Sequence, residues 1–182
     1  MLTPEVPMSH SLAGEPPAAG RRAAPSTTAV YSATEWELLT GLPGRVVVVA
    51  TAPAPGRPVR GVAAGLAGLE AVAAGRAFDS DLVRAVVAAI YARHDESTGP
   101  DRSGRGRRRR GTVPTDPVDL LTDCRTAARV LRRRADPADS AAYRQWVQSV
   151  AARVCREAPG GPALSPTDQR FLDRLGMTLG LR

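Results

Sequence analysis

The stretch that decides the fold is Arg45-Val46-Val47-Val48-Val49-Ala50. Four β-branched residues in a row favour a strand, because such side chains suit a pleated surface. A strand over residues 45–50 would have no partner, however, since no second β-like run occurs in the chain. The stretch therefore reads as a buried helix, and the chain as all-α.

Upstream, Ser32-Ala33-Thr34-Glu35 has the S-x-x-E form of a capping box. It opens a short helix carrying Trp36 and Leu39, which Gly41 should end, with Pro43 as the first residue of the next helix. Downstream, residues 51–57 (TAPAPGR) read as a loop. A helix then runs from about Pro58 to Ala74, with Val59, Val62, Leu66, Leu69 and Val72/Ala73 at spacings of three and four. Gly61, Gly65 and Gly68 lie within it, each costing about 1 kcal/mol relative to Ala. The gain that could offset this is close approach of a neighbouring helix. Another helix starts near Asp79-Ser80-Asp81 and carries Leu82, Val86, Ile90 and Tyr91.

The second half repeats one start signal three times: Asp116-Pro117-Val118-Asp119, Asp136-Pro137-Ala138-Asp139 and Ser165-Pro166-Thr167-Asp168. In each, a polar residue caps a free N–H, proline takes the first helical position, and an acid complements the helix dipole. These helices should run to about Arg134, Glu157 and Leu179. Their apolar stripes are Leu120/Leu121, Cys124, Ala128 and Leu131; then Tyr143, Trp146/Val147, Val150 and Val154; then Phe171/Leu172, Leu175 and Leu179. The short break near Asp136 implies an antiparallel hairpin of the first two. The expected architecture is one bundle-like domain over 32–182, of about seven helices in two halves. Residues 1–31, rich in Pro, Ala, Gly and Ser without an apolar period, read as a disordered tail.

Charge is distributed unevenly. The chain carries +7, yet residues 97–115 hold six Arg against Asp101, so +5 falls in that one stretch and +2 remains elsewhere. Its Gly, Pro, Ser and like charges read as a disordered basic loop interrupting the helical domain. Arg105, Arg107, Arg108, Arg109 and Arg110 are the candidate contacts for nucleic-acid phosphates. No aromatic residue interleaves with them, so a stacking platform is missing. The bland alternative is a solvated loop shaped by codon usage. The chain has no Lys, no Asn and one Ile, alongside abundant Ala, Gly, Pro and Arg, a composition that points to a GC-rich bacterium.

Catalytic patterns are lacking. There is no G-x-S-x-G, and Gly160-Gly161 neither follows a strand nor precedes a Lys. Of two histidines, His10 falls in the tail, and His94 stands beside Asp95 and Glu96 on successive helix positions that point in different directions. No metal or cofactor site is expected. Cys124 and Cys155 read as buried core thiols, and the hairpin geometry separates them too far for a disulfide. With no membrane span and no signal-peptide layout, a cytoplasmic protein is expected.

The order of several features resembles a group of bacterial helical proteins distantly similar to the tellurite-resistance TerB-like family. The matching pieces are Glu35-Trp36 leading to Leu42-Pro43, Gly65-Leu66 through Glu70, and Ser80-Asp81-Leu82-Val83. In the second half they are Ala142-Tyr143-Arg144 with Trp146, Val150 through Val154, Gly160-Gly161, and Leu164-Ser165 before Phe171-Leu172. The resemblance implies a helical fold and, in that family, a loop with an Asp-Gly pair and a following Glu suspected of binding a cation. Here the loop reads Ala54-Pro55-Gly56-Arg57-Pro58-Val59-Arg60, with two Arg and no acid. Hard cations need several oxygen ligands, so a metal role does not carry over. The function read from the sequence is a non-enzymatic interaction or regulatory protein, binding a protein partner or a second copy through exposed apolar helix positions. The alternatives are nucleic-acid association through residues 102–110, and a small-molecule or enzymatic role in a pocket between helices.

Overall fold

The computed structural model describes residues 29–98, 116–157 and 163–181. They form six α-helices: α1 (Ala33–Thr51), α2 (Val62–Ala74), α3 (Asp81–Thr98), α4 (Pro117–Arg134), α5 (Pro137–Arg156) and α6 (Pro166–Leu179). A single 3₁₀ turn, Gly75–Ala77, follows α2, and no strand occurs among the described residues. The valine run lies inside α1, where Val46, Val47 and Val49 are buried.

α1 corrects the expected break at Gly41 and Pro43. One helix of 19 residues runs through both. A proline inside a helix lacks the N–H that would bond four residues back, here to Leu39. The structure fills that vacancy from another helix: the Tyr143 hydroxyl on α5 donates to the Leu39 carbonyl at 2.6 Å, fully buried. Tyr143 thus does for α1 what residue 43 cannot. The capping box at the start is present in full, with Glu35 N–H donating to Ser32 Oγ and Ser32 N–H donating to the Glu35 carboxylate. Tyr31, expected in the tail, is buried instead, its ring 6.0 Å from that of Trp36. The pair closes the entry to α1 as a hydrophobic staple.

The three cap-proline-acid signals each open a helix at the expected residue, with Asp116, Asp136 and Ser165 accepting from backbone N–H groups. Their stripes form the core: Leu120, Cys124, Leu131, Tyr143, Trp146, Val150, Val154, Leu175 and Leu179 are all fully buried. α6 ends on Gly180 in the left-handed conformation (φ 71), with Leu181 N–H bonded to the Gly176 carbonyl. α4 and α5 follow each other across a short break, but α4 packs chiefly on α1 and α6, and α5 on α2 and α1. The two halves therefore share one core, with α1 and α5 at its centre.

Cys124 and Cys155 are free and buried. Burial pushes the Cys124 thiol up to about 12 and that of Cys155 to about 11. No helix among the described residues is long and apolar enough to cross a membrane.

Candidate interaction surface

α2 is where the sequence pattern misleads. The spacing predicts Val62, Leu66 and Leu69 on the packed side of a helix beginning at Pro58. The structure starts the helix at Val62 and, of the expected stripe Val59, Val62, Leu66, Leu69 and Val72/Ala73, buries Val72 but leaves the first four outside. Ala64, Ala67, Gly68 and Val72 are buried, while Val59, Val62, Leu66 and Leu69 are 79, 80, 54 and 58% exposed.

The cause is close backbone approach. Gly68 lies against Val47 of α1 and Val154 of α5, and a Cβ there would stand 2.7 Å from the nearest Val154 methyl. At Gly75 a Cβ would stand 2.8 Å from Val87 and 2.9 Å from the Trp146 ring. Trp146 Nε1–H then donates to the Ala71 carbonyl at 3.2 Å. A helix held this near its neighbours takes only Ala, Gly and Val72 on its inner side, while Val62, Leu66 and Leu69 face outward. Gly65 serves no such contact, since a Cβ there would meet open space.

The start of α2 is set by a buried ionic clamp. Arg57 and Arg60, the residues standing where the family resemblance implies acids, both turn inward to Asp168 in the first turn of α6. Arg60 Nη2 lies 2.6 Å and Arg57 Nε 3.3 Å from its carboxylate oxygens. The same guanidinium groups donate to Val49 and Ala50 carbonyls, at 3.0 and 2.9 Å, among the unpaired carbonyls at the end of α1. Two cations thus sit at the negative end of α1, and an anion sits at the positive end of α6. The Ser165 hydroxyl donates to Asp168 at 2.7 Å, and the Arg57 guanidinium stacks 4.4 Å over the Phe171 ring. Burial lowers the Arg57 pKa from its ordinary value, opposed by the Asp168 charge. Pro58 to Gly61 is consequently held in a non-helical approach, and Val59 is left on the surface.

The N-terminus of α2 is bare. Gly61 provides no side-chain cap, and the first turn holds no acid. The other five α-helices each have an acid in the first turn: Glu35, Asp81, Asp119, Asp139 and Asp168. Glu70, exposed on the outward side, is the one charged residue of α2.

Two of the surface depressions among the described residues bear on the choice of site. One of about 510 Å³ is lined by Leu121, Arg125, Arg174, Met177 and Thr178. The other, about 390 Å³, lies between α2 and α5 and is lined by Glu70, Ala71, Ala74, Phe78, Ser149, Arg153 and Arg156. Neither brings together a histidine or paired acids. No group of three or more metal-ligating side chains occurs among the described residues. Arg105, Arg107, Arg108, Arg109 and Arg110, together with Gly160-Gly161 and His10, lie outside the described residues. His94 is exposed on α3; Trp146 is fully buried and Trp36 partly so. Comparison with family models, with curated proteins and with solved structures found no match.

Proposed function

We propose that this chain is a non-enzymatic interaction protein whose binding surface is the outer side of α2. The observation that supports the reading is the row Val62, Leu66 and Leu69, with Val59 beside it, exposed on a helix whose inner side is already packed. Singly scattered exposed apolar residues are ordinary, whereas large ones grouped on one helix face are what a contact site presents. The two free, buried thiols support action in a reducing cytoplasm. The test is association of the full chain, by light scattering and by capture of partners, for wild type and for Leu66→Glu with Leu69→Glu. Loss of association with an unchanged helical circular dichroism spectrum is expected. A wild-type chain that stays monomeric and captures nothing, or association indifferent to both substitutions, would overturn the reading.

A second reading is favoured by the charge distribution. The segment 97–115 carries +5, leaving a nearly neutral body. Phosphate binding through Arg105 and Arg107–Arg110 would weaken steeply with salt and disappear when those residues become Ser. Binding unchanged by that substitution would refute it.

A further inference from the structure

We propose that the outer side of α2 is occupied by α2 of a second copy of this chain, the two helices running antiparallel about a two-fold axis at Leu66. The proposal rests on the reading of that side as an interaction surface and commits it to one occupant.

The outer side of α2 is self-complementary in size. A two-fold interface applies the same surface to itself, so each residue must suit its symmetry-related opposite. With Leu66 on the axis, Leu66 meets its own copy, Leu69 falls over Ala63, and Val62 falls beside the stem of Glu70. Ala63 is exposed and small, as a site receiving the Leu69 side chain must be.

The charges of α2 are self-complementary in the same antiparallel pairing. Among the described α-helices, α2 is the one whose first turn lacks an acid and whose N-cap supplies no side chain. Its single charge, Glu70, is exposed near the opposite end, on the rim of the depression it shares with Arg153 and Arg156, of which Arg153 pairs with Glu157. Antiparallel pairing lays each Glu70 carboxylate against the free N–H groups at Gly61–Ala63 of the other copy. Each helix thereby gains the anion its own sequence omits, at the end where the dipole favours it. A parallel pair would instead bring the two Glu70 charges together.

The apolar face is four large side chains, Val59, Val62, Leu66 and Leu69, against the roughly 20–30 residues a side of a standard stable interface. The pair is therefore expected to be reversible, dissociating in the micromolar range. Light scattering at roughly 100 µM, far above a micromolar Kd, should give twice the 19.1 kDa of one chain. Leu66→Glu should return the mass to one chain with its helical spectrum unchanged. Glu70→Arg should raise the dimer Kd at least tenfold, because it places a cation at the positive end of the opposite helix. Under mild oxidation, Leu66→Cys should form a disulfide-linked dimer across the axis, whereas Ala92→Cys, exposed on α3, should not.

A dimer that survives Leu66→Glu, or one strengthened by Glu70→Arg, overturns the pairing. A monomer at that concentration also overturns it. The surface reading then still stands if Leu66→Glu releases a different captured protein, and falls if nothing is captured.

Discussion

α2 and α6 are nearly equal in length, at 13 and 14 residues, and they bury opposite kinds of residue. α6 turns Phe171, Leu172, Leu175 and Leu179 inward and leaves its charged residues at the surface, apart from Asp168. α2 turns Ala64, Ala67, Gly68 and Val72 inward and leaves Val62, Leu66 and Leu69 outside. The difference follows from backbone distance. α6 meets the core through long side chains, which fill the space between helix axes. α2 sits too close to α1 and α5 for even a methyl at Gly68, so its inner side carries only Ala, Gly and Val, and its Leu residues face out. Large apolar residues at helical spacing therefore do not by themselves say which side of a helix packs against its own chain.

The sharpest way to break this comparison is at the clamp that sets where α2 begins. Asp168→Ala leaves Arg57 and Arg60 buried without their anion. Removing one member of a buried ionic group costs about 3–5 kcal/mol, to be read from the urea midpoint. A loss under 1 kcal/mol would show that the two arginines are held by the Val49 and Ala50 carbonyls alone. Next in size, Leu175→Ala in α6 removes a fully buried side chain and should cost about 2–5 kcal/mol, measured by the same titration.

Two glycines of α2 sharpen the comparison within one helix. Gly68→Ala forces a methyl against Val47 and Val154 and should destabilise by about 1–3 kcal/mol. Gly65→Ala meets open space and should stabilise by up to about 1 kcal/mol through helix propensity. Thermal unfolding of the two variants should move in opposite directions. Equal shifts of one sign would mean that α2 does not approach its neighbours as closely as described.

This contrast also explains what was legible in the sequence. The helix starts at Asp116, Asp136 and Ser165 were readable because capping chemistry is local, residing within four residues. The stripes of α4, α5 and α6 were readable because period and burial agree there. The continuity of α1 through Pro43 was not, because the Tyr143 hydroxyl that completes it lies 104 residues from Leu39. The inversion of α2 was hidden too. Its period is genuine, and only the tertiary position of Gly68 and Gly75 decides which side faces in. Arg57 and Arg60 gave no signal, since arginine is common along the whole chain; their role depends on Asp168, more than a hundred residues away.

The buried thiols offer a smaller, kinetic contrast. Burial holds Cys124 near 12 and Cys155 near 11, above the roughly 8.5 of a free thiol. Both folded-state values are raised, so this contribution to stability is full below about pH 8.5 and is lost as pH rises toward the folded values. Alkylation at pH 8 should accordingly be slow in the folded protein and fast in urea; rapid labelling of the folded chain would contradict their burial.

The most direct test concerns the outer side of α2 alone. Urea unfolding of Leu66→Ser with Leu69→Ser should be followed in dilute solution, where no association contributes. An unfolding free energy within about 0.5 kcal/mol of wild type is expected, as for surface positions. A loss of about 2 kcal/mol or more, as for core leucines, would place these residues inside the fold and contradict their exposure.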